Sequence, residues 1–346
     1  MGVPNLREAL ELAASTKAFA VNRHGGMVLV TYLYHDRQIF AAHPLARELR
    51  GAVWEEESGE LLSRPFHKFY NLGEPLAPRL EGPMAGEGAL VAPKVDGFLV
   101  QAFLREGRVV KASRQSLTMG LIRPLVEDLW TQAHDALVRQ VSEALGSSTL
   151  LFELVHPKAV ILQKGQTPGL HLLAARRLAD GQYVVPMSPW AKEALGGGER
   201  DLEEAAGPLP PGILAARWHL PEEVFGEDPT WEEALKAVRA HALREKGWES
   251  LEGAVALLEG GELVKLKTPW AFWVAALLMD FARTVLEAIA DDRADDLGAL
   301  LKDTRPDLHA LVEAVAEEVG RQVRGCLLYT SPSPRDRTRS RMPSSA

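Results

Sequence analysis

Ala89-Leu90-Val91-Ala92-Pro93, then Lys94-Val95-Asp96-Gly97, then Phe98-Leu99-Val100: this run decides how the rest of the chain is read. Apolar stretches on either side of an Asp-Gly pair predict a strand, a tight turn and a second strand, with Lys94 held near the bend. A protonated lysine is a poor nucleophile. Partial desolvation, or crowding by other cations, lowers its pKa and makes it a good one. By itself the tetrapeptide is a hairpin turn with a lysine beside it, because Asp-Gly is a common short turn. Other charged stretches of the chain raise it above that.

The flanking chain reads as mixed α and β. Leu6, Ala9, Leu10 and Ala13 have helical spacing behind Asn5, a good N-cap. Met27 to Leu33, Arg37 to Ala41, Leu49 to Glu55 and Leu61 to Arg64 read as strands. Gln101 to Leu104 and Val109 to Ala112 form a hairpin turning at Glu106-Gly107. Leu121 to Leu145 is expected as one helix. Thr149 to Val155, Ala159 to Gln163 and Leu170 to Ala175 read as strands. Gly196 to Pro211 is taken as a surface loop, and Trp231 to Arg244 as a helix. Ala254 to Leu258 and Glu262 to Lys267 pair across Gly260-Gly261. From Trp270 to about Arg324 the periodicity is helical.

The fold class expected is therefore α+β. An antiparallel-β domain over residues 1–268 is followed by a small all-helical C-terminal module over 269–325. Residues 326–346 are dominated by Ser, Pro and Arg without periodicity, and read as a disordered tail or expression scar.

Composition bounds the function without choosing it. The 346 residues carry a formal net charge of -8, with 46% hydrophobic and 25% charged residues, ordinary for an enzyme. No apolar run approaches a membrane span, and no basic-then-apolar leader precedes the first helix. The single cysteine, Cys326, excludes an internal disulfide and a multi-cysteine metal cluster, and fits a reducing cytoplasm. The acidic balance argues against a bulk polyanion coat, yet a local basic groove suffices to bind phosphates. Gly196-Gly197-Gly198 lacks the Gly-Lys-Ser/Thr of a P-loop, and the ten histidines have no zinc-ligand spacing.

The charged stretches stand where surface logic does not need them. Glu48-Leu49-Arg50-Gly51 precedes an apolar strand. Lys68 lies among aromatics in Arg64-Pro65-Phe66-His67-Lys68-Phe69-Tyr70-Asn71. Glu153 interrupts Leu150-Leu151-Phe152-Glu153-Leu154-Val155, where a carboxylate must face out or be paired. Glu252-Gly253-Ala254-Val255 leads into a strand whose partner carries Lys265 and Lys267, on one face because strand side chains alternate.

In this order the stretches resemble the covalent nucleotidyltransferase superfamily, an ATP-grasp-like ligase fold. More narrowly they resemble the RNA ligase 1 family, the tRNA-repair ligases of T-even phages. Arg50-Gly51, Ser63-Arg64-Pro65 with Lys68-Phe69-Tyr70-Asn71, and Leu151-Phe152-Glu153-Leu154-Val155-His156-Pro157 are the more specific signatures, and the resemblance spans roughly Gly25 to Trp270. It implies that Lys94 attacks the α-phosphate of ATP and forms a lysyl-AMP. Lys265 and Lys267 would hold that phosphate and depress the pKa of Lys94. Arg50 and Lys68 would grip the β- and γ-phosphates, Glu153 would accept a bond from the ribose, and Phe69 or Tyr70 would wall the pocket. Asp96-Gly97 would belong to the nucleotide site, and Glu252 with Asp96 would hold hydrated Mg²⁺, with Mn²⁺ as its substitute. Two positions depart from the pattern. Phe98 replaces a small hydroxyl residue, and Arg114, in Ser113-Arg114-Gln115-Ser116, replaces a lysine.

The resemblance implies an ATP-dependent RNA ligase, a cytoplasmic monomer (in host cytoplasm if phage-encoded) acting on single-stranded RNA or broken tRNA ends. DNA ligase, mRNA-capping guanylyltransferase and a non-catalytic nucleic-acid-binding relative are the alternatives. The first two normally carry an oligonucleotide-binding barrel after the Lys-x-Lys strand, where this chain reads helical.

Overall fold

The computed structural model describes residues 2–157, 167–196, 198–240, 243, 252–268, 302 and 309–317. Contacts divide the chain into two compact units, Met1–Pro269 and Trp270–Ala346. In the second unit the described residues 309–317 are helical. The strand expected at Ala159 to Gln163, the helices expected elsewhere between Trp270 and Arg324, and the tail 326–346 lie outside the described residues.

Among the described residues, three sheets, mostly antiparallel, build the first unit. In chain order the strands are β1 (Phe19–His24), β2 (Met27–Tyr32), β3 (Arg50–Glu55), β4 (Leu61–Ser63), β5 (Tyr70–Asn71), β6 (Leu90–Pro93) and β7 (Phe98–Arg105). There follow β8 (Arg108–Ser113), β9 (Ser148–Val155), β10 (Gly169–Arg177), β11 (Tyr183–Val184), β12 (Leu214–Ala215), β13 (Gly253–Leu257) and β14 (Leu263–Lys267). The first sheet runs β1-β2-β3-β4. The central one runs β11-β10-β9-β7-β8 with β12 beside β10, and the third runs β5-β14-β13-β6.

Strand alternation assigns the faces. On β9, Leu150, Phe152 and Leu154 face a core with Val100, Leu137, Val138 and Val141, the last three from a helix over Gln132–Leu145. Leu151 points the other way, into a core with Ala174, Phe66, Trp218, Leu90 and Leu263 that joins the central and third sheets. Trp231 and Val238, from a helix over Trp231–Arg239, pack with Val91, Ala254 and Leu266 on the third sheet. Each fully buried large side chain contributes roughly 1.5–3 kcal/mol.

The site rests on one buried ion cluster. Both Glu48 oxygens receive bonds from Arg64 and Arg176, all three side chains being within 2% of fully buried. Burial opposes the Glu48 charge, but the two guanidiniums overcome it and hold the carboxyl down to about 2. Arg64 also donates to the Leu178 carbonyl, and Arg176 to that of Pro65, so the segment after β4, the end of β10 and the turn before β3 are tied together.

Several expectations are corrected. Lys94 does not sit in a hairpin: β6 pairs with β13, whereas β7 pairs with β8 and β9, so Lys94-Val95-Asp96-Gly97 crosses from one sheet to another. Arg37–Ala42 is a helix, because the Asp36 side chain accepts from the backbone N–H of Gln38 and Ile39 and caps it. The expected helix from Leu121 to Leu145 breaks at Trp130-Thr131, where Thr131 and His134 form a capping box that starts a new helix. In the presumed surface loop, Leu202–Ala206 is a short helix with Leu202 buried, capped by Asp201.

Candidate active site

Strand register assembles the basic side of the site. Val255 pairs with both Ala92 and Lys265, so these three point together from the third sheet. Two rungs along, on the same face, Gly253 pairs with Lys267, and its carbonyl accepts from the Lys94 N–H at 3.0 Å. Facing them across the inter-sheet space is the rung Leu99, Glu153 of the central sheet. Between the two lies a cleft of about 220 Å³, lined by Arg50, Lys94, Glu153, Lys265 and Lys267 and walled by Phe66, Phe69, Leu173, Trp218 and Val255.

Two glycines make the approach possible. A Cβ at Gly97 would lie 2.1 Å from the Leu154 carbonyl oxygen, and one at Gly253 would lie 2.0 Å from that of Leu266. Real side chains do not occur at such separations. Gly97 thus brings the Lys94 crossover against β9 and places Glu153 opposite the amine.

The electrostatics differ from the sequence expectation. Lys94 Nζ is 2.5 Å from Glu252 Oε2, and Lys267 Nζ is 2.5 Å from the other oxygen. Burial works against the Lys94 charge, but Glu252, with Glu153 and Asp96, outweighs it and raises the pKa above the ordinary lysine value. The neighbouring lysines therefore do not prevail at Lys94 in this state, because the carboxylates outweigh them. Glu252 is held down in turn: burial opposes it and the two lysines prevail. The depressed amine is Lys265. Burial, then Lys68, Arg50, Lys94 and Lys267, push it well below its usual range, and among the described residues no carboxylate pairs with it. It sits over the Phe69 ring, 4.5 Å from the centroid.

Glu153 is raised to about 7, first by burial and against the pull of Lys94 and Arg50. Arg50 lies 5.8 Å from the Phe69 centroid, and its Nη1 is buried without a hydrogen-bond partner among the described residues. A buried guanidinium nitrogen without an acceptor, beside an amine without a counter-ion, is a site shaped for an anion.

Of the residues singled out from sequence, Lys94, Lys265, Lys267, Arg50, Phe69 and Glu153 line the cleft, and Glu252 backs it. Asp96 is buried, and its charge acts on both Lys94 and Glu153. Tyr70 is buried without lining the cleft, and Lys68 lies 5.0 Å from its ring centroid. Arg114 stacks on Tyr32, 5.1 Å from its centroid, on whose hydroxyl Arg50 and Lys68 also act; together they turn its pKa downward against burial. Phe98 is 38% exposed, and its neighbour Leu99 is the one that lines the cleft. Sequence reading missed Trp218, Leu173, Ala216 and Val255. Val255 follows from strand alternation opposite Lys265; the other three had no local signal.

Comparison with known proteins gives the family. A family model described as RNA ligase matches residues 48–193. RNA ligase 1 of Bacteriophage TS2126 is 40% identical over 319 residues, covering 90% of this chain and 72% of that one. The chain belongs to the RNA ligase family. A relative from Thermovibrio ammonificans is 28% identical over 327 residues, covering 92% of this chain and 75% of its own length. Among solved structures, an archaeal ATP-dependent RNA ligase aligns with a TM-score of 0.49 at 14% identity, covering 86% of this chain and 75% of that chain. The family match begins at Glu48, the buried carboxylate beneath the site, and takes in Arg50, Lys68, Lys94 and Glu153.

Proposed function

We propose that this protein is an ATP-dependent RNA ligase that works through Lys94. The observation that carries the reading is the cleft itself: one lysine at a sheet crossover, with Lys265, Lys267 and Arg50 around the space in front of it. The amine attacks the α-phosphorus of ATP; the N–P bond forms, the bond to the β-phosphate oxygen breaks, and pyrophosphate leaves. AMP then passes to the 5′-phosphate of an RNA end, regenerating the lysine. A 3′-hydroxyl attacks that activated phosphorus, and AMP departs as the phosphodiester forms. Activation is needed because a phosphate monoester has no good leaving group.

Each role rests on the geometry of its side chain. Lys265 and Lys267 hold the α-phosphate and balance the charge that grows in the transition state. Arg50 and Lys68, with Arg114 behind Tyr32, take the pyrophosphate end and align it. Phe69 and Val255 flank the adenosine, and Glu153 accepts from its ribose. Asp96 and Glu252 are oxygen donors beside the nucleophile, and among the described residues no group of three His, Cys, Asp or Glu forms a ready-made cage. Asp96 and Glu252 are the residues that would hold a divalent ion such as Mg²⁺ or Mn²⁺, which takes oxygen ligands. Such an ion, when bound, would neutralise phosphate charge near the reacting phosphorus.

Before attack, Lys94 must leave Glu252 and lose its proton. The substrate is read as single-stranded RNA or broken tRNA ends, the enzyme as a monomer, and its place as the cytoplasm. Among the described residues no helix is long and apolar enough to cross a membrane. Intact mass after incubation with ATP·Mg²⁺ tests the reading: one AMP is gained by the wild type and none by Lys94→Ala. Transfer from GTP in place of ATP would indicate a guanylyltransferase, and no covalent nucleotide at all would end the proposal.

A further inference from the structure

The cations of the cleft repel one another, so something other than their own contacts must hold them in place. Lys265 feels Lys68, Arg50, Lys94 and Lys267 as like charges. Contacts that join the segments carrying these cations lie outside the cleft lining, at Arg47 and Glu262. Arg47 makes several of them. Its Nε donates to the Lys68 carbonyl at 3.1 Å, and its own carbonyl accepts from the Lys68 N–H at 2.6 Å. Its two terminal nitrogens reach Glu262 as a fork, Nη1 to Oε1 at 3.2 Å and Nη2 to Oε2 at 2.6 Å.

Glu262 sits at the mouth of the β13–β14 turn, where its carbonyl accepts from the Leu258 N–H, and β14 runs from there to Lys265. His67 Nε2 lies 3.7 Å from Glu262 Oε2, while its other ring nitrogen is 2.9 Å from the Tyr183 hydroxyl. The Arg47 guanidinium also lies 5.8 Å from the Tyr70 ring centroid. Arg47 ends the short turn just before Arg50. One bidentate pair therefore ties the segment of Arg50, the segment of Lys68 and Phe69, and the strand of Lys265. Both partners are only partly exposed, at 20% and 32%, and a forked, partly buried pair holds geometry better than a surface one.

We propose that the Arg47–Glu262 pair is a positioning clamp that keeps Arg50, Lys68 and Lys265 at the spacing a nucleoside triphosphate requires. The inference rests on the ligase reading above. It assigns the clamp to the first chemical step, where the triphosphate must be gripped and pyrophosphate aligned. Joining a pre-adenylylated RNA end involves no triphosphate and places far less demand on that spacing.

Arg47→Gln, Glu262→Gln and the double variant of the full chain separate these demands. Lysyl-AMP formation is followed by intact mass across ATP concentrations, and sealing is followed on pre-adenylylated RNA without ATP. Each single variant is expected to raise KM for ATP and slow adenylylation, together by about 10- to 100-fold, the usual cost of losing a supporting contact. The double variant should be no slower than the worse single, since the two act as one unit. Sealing should stay within roughly threefold of wild type, which a general loss of folding would not allow. Unchanged adenylylation, parallel loss of both steps, or additive single effects would overturn the clamp. Failure of the wild type to form lysyl-AMP would instead strike the ligase reading itself.

Discussion

In a Glu252→Gln variant, the carboxylate that holds Lys94 Nζ and Lys267 Nζ at 2.5 Å each becomes a neutral amide. The charge pair lost at Lys94 is worth about 2 kcal/mol at the dielectric of water and about 7 kcal/mol at an effective dielectric of 20. Lys94 is 22% exposed, so the lower figure is the safer one. Loss of the pair lowers the Lys94 pKa. Burial, and the cations Lys265 and Lys267, would then act on Lys94 without opposition from Glu252. The assay is competitive labelling of the nucleotide-free enzyme with an amine-reactive reagent across pH, with Lys94 and Lys265 read separately by peptide mass. In the wild type, Lys94 should titrate above the ordinary 10.5 and Lys265 well below it. In the variant, the Lys94 midpoint should drop below that of the wild type. A Lys94 midpoint that does not move, or that lies below 10.5 in the wild type, would refute the account of which lysine is held charged.

Further outcomes follow from other parts of the structure. Lys265→Gln should slow lysyl-AMP formation by about 10²- to 10³-fold while ATP still binds, measured by single-turnover mass analysis. Gly97→Ala should cost about 2 kcal/mol or more in urea unfolding, since the added Cβ meets the Leu154 carbonyl oxygen at 2.1 Å. Glu48→Gln leaves Arg64 and Arg176 buried without their counter-charge and should cost about 3–5 kcal/mol in the same assay. Acid should weaken the fold in two stages. Burial holds His67 down to about 4 from 6.5, so the unfolded chain binds its proton first, and stability is lost as pH falls from 6.5 to 4, on the order of 3 kcal/mol. Glu48, held down to about 2, adds a loss as pH falls from about 4.5 toward 2. Urea midpoints across pH check both, and a midpoint flat from pH 6.5 to 4 would contradict the first.

The residues that touch the cleft were legible where chemistry and strand alternation agree. Lys265 and Lys267 alternate on β14, Glu153 interrupts an apolar strand, and Lys94 stands beside Asp-Gly; each is a local anomaly that a sequence displays. The elements that failed were those decided by non-local contacts. Asp96-Gly97 has the chemistry of a hairpin turn, yet β13 captures β6 and β9 captures β7, so the same residues carry the chain between sheets. Arg37–Ala42 has strand-like residues, but one Asp36 cap turns it into a helix. Trp218 reaches the cleft by packing from far along the chain, with its indole N–H donating to the Leu173 carbonyl, and no short motif announces that.

Sequence alone determined which charges exist, their order, and on which strand faces they lie, because residue identity and a two-residue repeat settle those. Tertiary structure decided their states. A carboxylate 2.5 Å from the amine, with two further carboxylates, holds Lys94 charged, and Lys265, buried among positive neighbours, is the amine that gives up its proton more easily. Coulomb energy depends on separation and burial, which are set only when strands distant in sequence meet.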